Sequence, residues 1–313
     1  MFFSRPKALK DKGLLSMNAR NVKYIGTYNP RHLFPNVDNK LKTKKLAEKH
    51  QIAVPKLLGV IKHQFEVKKI DTILKPLDAF VIKPASGSTG KGILVITGKQ
   101  ASEFFGVDGH SIQLPDIKKH VSNILSGLYS LGGKPDTAMI EALVHFDPVF
   151  DQYSYQGVPD IRVIVFQGYP VMAMLRLSTK ASKGKANLHQ GAVGVGICIA
   201  TGKSIKAVQF NKHIKKHPDT KIAFDKLAIP HWQNLLRLAA SCYELTQLGY
   251  IGIDIVLDKQ EGPQILELNA RPGLAIQIAN GKGLAPRLEY IEKETASRSV
   301  NERVTFSQQM FSN

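Results

Sequence analysis

A loop with three glycines and three hydroxyl side chains, Pro84-Ala85-Ser86-Gly87-Ser88-Thr89-Gly90-Lys91-Gly92, runs from one apolar strand pattern, Phe80-Val81-Ile82-Lys83, into another, Ile93-Leu94-Val95-Ile96. Successive backbone N–H groups in such a loop can face phosphate oxygens. Its flanks exclude the two commonest phosphate loops. A Walker A loop has a leading glycine and a Ser or Thr after its lysine, whereas here Ala85 leads and Gly92 follows Lys91. The dinucleotide fingerprint opens a helix, whereas here a strand follows. A strand–loop–strand flap is what a lid over a triphosphate needs, and a plain hairpin tip accounts for the loop alone equally well. Lys83 favours the lid, because a lysine closing an apolar strand beside such a loop is placed to meet a phosphate. Gly87, Ser88, Thr89 and Gly90 are then phosphate-binding candidates.

A second set of polar residues lies in apolar strand patterns further along: Gly252-Ile253-Asp254-Ile255-Val256 and Ile265-Leu266-Glu267-Leu268-Asn269. Side chains alternate along a strand, so Glu267 and Asn269 share a face. If the strands pair through the charged turn Asp258–Gly262, Asp254 reaches that face too. Two carboxylates and an amide oxygen form a hard donor set suited to Mg²⁺. A lone acidic residue here would read as the solvent side of a strand; the coincidence of three oxygen donors favours the metal. Ala270-Arg271-Pro272-Gly273 follows as a basic turn able to hold an anion. A third segment joins Asp160-Ile161-Arg162, Arg176 and Lys185-Ala186-Asn187-Leu188-His189. The alternation of Lys185, Asn187 and His189 with apolar neighbours predicts a strand face, lining an anionic pocket or facing solvent, and His189 receives no catalytic role.

Between these sites the periodicity predicts helices from Asn39 to before Val54-Pro55, from Pro115 to Leu131 and from Pro230 to about Leu248. Strands are expected at 57–61, 80–83, 92–96, 138–144, 161–167, 170–177, 251–257 and 264–268. The first 38 residues read as an ordered but irregular basic arm and the tail after Ile291 as polar and peripheral. The whole is α+β, with antiparallel sheets carrying helices. The expected division is an arm 1–38, a main domain 39–290 with lobes 39–137 and 138–290, and a tail 291–313.

Composition narrows the class. Hydrophobic residues make up 43%, too many for a disordered chain, and no apolar run approaches the roughly 18 residues of a membrane span. MFFSRPKALK has no apolar stretch behind its basic residues, so it does not read as a signal peptide. With only Cys198 and Cys242, the simplest compartment is a reducing cytoplasm. The formal net charge is +18, and the first 50 residues hold 12 basic against 3 acidic side chains. Such a field suits an anionic partner or simply solubility. Nucleic acid explains the charge and none of the motifs, and the basic first 50 residues lack the interleaved aromatics of a stacking platform.

Taken in order, Asn39-Lys40, Lys83 with its loop, Met139-Ile140-Glu141, Asp160-Ile161-Arg162, Asn187-Leu188-His189, Gly252-Ile253-Asp254 and Glu267-Leu268-Asn269-Ala270-Arg271-Pro272-Gly273 resemble the ATP-grasp superfamily, and within it the RimK-like alpha-L-glutamate ligases. The stretches run over roughly three quarters of the chain. The resemblance implies two α+β lobes whose antiparallel sheets clasp ATP between them. It implies Lys40 and Lys83 at the nucleotide phosphates and Glu141, with the backbone of Ala142, Leu143 and Val144, as an adenine-reading hinge. Asp160 would lie near the ribose, and Lys185 to Asn187 near the phosphates and metal. Asp254, Glu267 and Asn269 match the ligands of two Mg²⁺ ions, with Mn²⁺ as an alternative. Two features depart from the family pattern. Only 38 residues precede the Asn39-Lys40 motif, a shortened N-terminal domain, and Val144 to Pro159 is long and aromatic, suggesting a substrate or partner surface.

The expected function is an ATP-dependent carboxylate–amine ligase, ADP-forming and proceeding through an acyl phosphate, with glutamate ligation one form of it. Arg176 and Arg271 would join the lysines in neutralising the meeting of two anions. The expected partners are ATP, a carboxylate donor and an amine acceptor, an acidic amino acid or peptide among them, with a homo-oligomer allowed. The rival expectation is a non-catalytic nucleotide-binding protein of regulation or assembly.

Overall fold

The computed structural model describes residues 6–87 and 90–312. The chain forms two compact units. The smaller takes Asp38–Lys49 and Val54–His145, and the larger takes the residues through Val37, His50–Ala53 and those from Phe146 on.

The smaller unit carries a six-stranded sheet of β1 (Leu57–Ile61), β2 (Phe80–Pro84), β3 (Leu94–Gln100), β4 (Glu103–Gly106), β5 (Ser111–Ile112) and β6 (Ala138–Ala142), ordered β1-β6-β2-β3-β4-β5. Every pairing is antiparallel. Strand alternation divides its side chains. Phe80, Ile82, Ala138 and Ile140 join the core with Ile117, Val121 and Ile124 of the helix Leu114–Leu125. That helix starts on Gln113 with Asp116 closing a capping box. The alternate positions, among them Lys83 and Glu141, are left for the other face, where Met139 packs with Leu41 of the helix Lys40–Lys49. The boundary expected at 137/138 is displaced, because β6 pairs with β1 and β2 inside this sheet.

The larger unit carries a seven-stranded antiparallel sheet of β7 (Asp160–Phe166), β8 (Tyr169–Leu177), β9 (Val193–Ile197), β10 (Ser204–Gln209), β11 (Lys212–Ile214), β12 (Tyr250–Asp258) and β13 (Gly262–Asn269), ordered β11-β10-β9-β8-β7-β12-β13. The helix Trp232–Thr246 packs on β7, β12 and β13. Its apolar stripe, Leu235, Leu236, Ala239 and Ala240, is fully buried. The expected α+β class with antiparallel sheets is the observed one.

Three segments differ from expectation for one reason: their apolar residues find partners. Within the N-terminal arm, short helical turns bury Tyr24, whose ring meets Phe166 edge-on at 5.5 Å. The tail folds into a helix, Val300–Met310, opened by a Ser299–Glu302 capping box, and it buries Val304. The stretch 144–159 buries Phe150 and Tyr153, the latter stacked on Phe224, so these two aromatics build packing rather than an open surface.

Asn29 pins the arm to the sheet. Its amide accepts from Tyr250 N at 2.8 Å and donates to Tyr250 O at 2.7 Å and Ala270 O at 3.3 Å. Asn29→Ala strands these buried groups and is expected to cost about 2–3 kcal/mol, read as a lower urea midpoint at unchanged m-value. A midpoint equal to wild type would show that the arm is not held by this clamp.

Candidate functional site

In the smaller unit, Lys83 ends the apolar run of β2 and projects from the face opposite the main core. There its Nζ lies 2.5 Å from Glu141 Oε2. The second oxygen of Glu141 lies 2.5 Å from Lys44 Nζ. All three side chains are under a tenth exposed. Lys44 also donates to Pro55 O. Burial lowers the pKa of Lys44, against the opposing pull of Glu141. Lys44 was not among the residues expected from the motifs. Its signal was spacing, since it stands four residues after Lys40 on one helix and shares its face.

Lys40 donates to Gly87 O at 2.7 Å and so touches the root of the glycine loop. Asp136 holds the same root, both its oxygens accepting from Ser86 N, at 3.1 and 2.9 Å. Gly87 is in close packing, because a Cβ there would come within 2.3 Å of Pro84. Gly90 is exposed with φ 73°, while Ser88 and Thr89 lie outside the described residues. Ala142 closes β6 with its N–H on Lys56 O, and Leu143 and Val144 follow half-buried beyond the strand.

In the larger unit, the register gathers the second set on one face. Asp254 on β12 stands opposite Glu267 on β13 and opposite Arg162 on β7, and Asp160 on β7 stands opposite Arg176 on β8. The expected pairing of the two carboxylate strands through their charged turn is observed. Arg162 donates twice to Asp254, Nε to Oδ1 at 2.7 Å and Nη2 to Oδ2 at 2.6 Å. Arg176 bridges both acids. It donates from Nη2 to Asp160 Oδ2 at 2.6 Å and from Nε to Oδ1, and its Nη2 lies 2.8 Å from Asp254 Oδ2. Asn269 Nδ2 adds a donor to Asp254 at 3.3 Å. Burial raises Asp160 above the usual carboxylate range, against the pull of Arg176. Burial acts on Asp254 in the same sense, but two guanidinium groups outweigh it and hold that acid low.

The donor chemistry of Asp254, Glu267 and Asn269 fits a hard divalent cation. Among the described residues no group of three or more His, Cys, Asp and Glu that could hold a metal gathers, and in this arrangement the oxygens of Asp254 are engaged by Arg162, Arg176 and the Asn269 amide N–H. Arg162 was seen in its motif without a site role; its bidentate grip on Asp254 shows only once the strands are in register. Lys185 and Asn187 are a correction. The predicted strand is a turn: Asn187 accepts from His189 N at 3.0 Å, Leu188–Gln190 form one 3₁₀ turn, and Gly191 ends it at φ 99°. The alternation imitated a strand, but an asparagine cap and a left-handed glycine set the backbone. Arg271 stands exposed, with its guanidinium 4.6 Å from the ring centre of Phe34.

A family model described as sugar-transfer associated ATP-grasp matches residues 19–293. A "Probable alpha-L-glutamate ligase" of Legionella pneumophila (strain Corby) is 30% identical over 146 residues, which cover 46% of this chain and 37% of that protein. A protein of the same description from Psychromonas ingrahamii is 26% identical over 147 residues with the same shares. The chain thus matches under two fifths of the length of these curated relatives. Among solved structures, D-alanyl-alanine synthetase A from Vibrio cholerae covers 88% of this chain and 66% of its own at TM-score 0.48 and 12% identity. The ATP-grasp ligase PsnB complexed with minimal precursor covers 86% and 64% at TM-score 0.45 and 13% identity.

Proposed function

The chain belongs to the sugar-transfer associated ATP-grasp family, and from that premise we propose that it is an ATP-dependent carboxylate–amine ligase that releases ADP. The observation that carries the reading is the polar face of the larger sheet, where Asp254, Glu267 and Asn269 lie beside two partly buried guanidinium groups. Phosphoryl transfer to a carboxylate brings two anions together, and catalysis is then mostly positioning and charge neutralisation.

In this reading a carboxylate oxygen attacks the γ-phosphorus of ATP and ADP leaves. An amine then attacks the acyl carbon, loses a proton, and phosphate departs. Lys40, Lys83 and the loop at Gly87 and Gly90 bind the phosphates. With the Glu141 side chain given to its lysines, adenine is left to the backbone of Ala142, Leu143 and Val144. Asp254, Glu267 and Asn269 would hold Mg²⁺, which when bound shields the phosphate charge. Arg176 and Arg162 are already ordered by their carboxylates and present fixed positive charge to the reacting oxygens. Asp160 orients Arg176. Arg271 stands as a further anion contact. Glutamate is proposed as one substrate, on the strength of the relatives' descriptions. Cys198 and Cys242 are not joined in a disulfide, which fits the cytoplasmic setting this reading assigns, and no helix among the described residues is long and apolar enough to cross a membrane.

The test has two parts. Mg²⁺–ADP at millimolar concentration should raise the thermal midpoint, since a ligand bound only by the folded state stabilises by mass action. ADP release, measured with Mg²⁺ and ATP against amino acids and peptides, should require one amine and one carboxylate together. ATP turnover indifferent to both would sink the ligase reading.

A further inference from the structure

The larger unit holds a cavity of about 230 Å³ that the roles assigned above leave unused. Six of its lining residues are apolar: Leu188, Ala192, Val208, Phe210, Ala275 and Ile278. His189 and Asn211 add the polar edge, and no Asp, Glu, Lys or Arg is among the lining residues. Phe210 is 60% exposed and Ile278 38%, so two large apolar side chains stand open around it.

How Phe210 is held makes the cavity more than an accident of packing. Gln209 pairs with Lys212, leaving Phe210 and Asn211 as a two-residue hairpin loop with φ 48° and 61°. Both signs are those of a type I′ turn, which favours Asn and Gly, so a phenylalanine there is a strained choice. The ring folds back on Gly191, where a Cβ would come within 2.7 Å of it. Strain is kept here to hold a phenyl group at the cavity wall.

The sheet register ties this cavity to the polar face. Val208 pairs with Gly194, Gly194 with Arg176 and Arg176 with Asp160, a single cross-strand row. Side chains directly opposite in a sheet share a face, so Val208 looks out on the side of Arg176, two strand spacings or about 10 Å away. Gly194 has no side chain to intervene, and Leu188 lies over it, 2.8 Å from where a Cβ would stand.

We propose that this cavity is a specificity pocket for the apolar side chain of one co-substrate, whose carboxylate or amine end lies toward Arg176. Apolar cavities of roughly 150 Å³ accept a benzene ring, so this one admits an aromatic or branched aliphatic group. A glutamate side chain would bury its carboxylate there without a cationic partner. The pocket therefore takes the partner of the acidic substrate. Its catalytic meaning rests on the ligase reading; its existence as a binding site does not.

The test is direct binding to the full chain, by ligand-observed NMR and calorimetry with L-phenylalanine, L-leucine and L-glutamate as probes. L-phenylalanine or L-leucine is expected to bind at least tenfold more tightly than L-glutamate. Ile278→Trp, which fills the cavity from its rim, should weaken that binding at least tenfold while the Mg²⁺–ADP thermal shift stays at its wild-type size. Phe210→Gly removes the wall with a residue the turn prefers, so it should also lose the ligand without losing stability. Equal or tighter binding of L-glutamate, no binding of either apolar probe, or binding unchanged in a folded variant would overturn the pocket. Apolar binding with no ADP release from any amine–carboxylate pair would keep the pocket and reject the ligase. ADP release from an amine–carboxylate pair by a chain that binds neither apolar probe would do the reverse.

Discussion

Glu267→Gln is expected to cut ADP release by 10²–10³-fold, the scale of about 2.7–4 kcal/mol set by removing one preorganised electrostatic element. Glu267 sits between Leu266 and Leu268 on β13 and directly opposite Asp254. Gln keeps its size and its hydrogen-bonding shape, so the strand and its neighbours have no reason to move. What disappears is a carboxylate charge on a face where the other, Asp254, is already engaged by Arg162 and Arg176. The control is Glu261→Gln, in the exposed turn joining the same two strands, which should behave as wild type. A second readout separates charge from folding: the variant should melt at the wild-type temperature without ligand, yet need more Mg²⁺ to reach the same ADP-induced shift. Near-normal ADP release at ordinary Mg²⁺ would remove Glu267 from the metal set.

The polar face was legible because strand alternation is a local rule. Asp254, Glu267 and Asn269 stand in apolar runs whose period of two leaves little freedom about the face they share, and the short turn at Lys259–Glu261 brings the strands together. The same rule misled at Lys185–His189, where alternation is present but Asn187 and Gly191 impose a turn. Caps and positive φ outrank a two-residue period over so short a run. The C-terminal helix was missed for a related reason: its Ser-x-x-Glu start at Ser299 was in the sequence, but the surrounding polarity hid the buried side of Val304. Aromatics at Phe150 and Tyr153 suggested an exposed surface because a linear reading has no way to supply their partner, Phe224. Family membership followed the ordered motifs, and the ATP-grasp resemblance stands.

Lys44 shows the limit most clearly, and it yields the second large effect. In sequence it is one lysine in a run of them, on a helix that looks solvated. In the fold it is 5% exposed and shares Glu141 with Lys83. One carboxylate between two ammonium groups leaves a net positive charge in a dry place, tolerable because each lysine has its own oxygen. Lys44→Met leaves Glu141 paired with Lys83 and strands no charge, so it should cost about 1–3 kcal/mol in urea unfolding, for the Pro55 carbonyl left without its donor. Glu141→Gln should cost more, about 3–5 kcal/mol, since it leaves two buried cations facing each other with no counter-ion. The double variant, with Lys83 beside a neutral glutamine and a methionine, should lose less than the two single losses added together, the signature of direct coupling. Nucleotide binding distinguishes the lysines further. Lys83→Ala keeps the Lys44–Glu141 pair but removes the cation proposed for the phosphates, so the Mg²⁺–ADP shift should shrink far more than in Lys91→Ala, whose side chain is exposed. Lys44→Met should weaken ADP as well, because Lys83 then becomes the only counter-ion of Glu141 and is harder to draw away. Additive stability losses, or equal effects at Lys83 and Lys91, would show that the triad is packing and that the phosphates are held elsewhere.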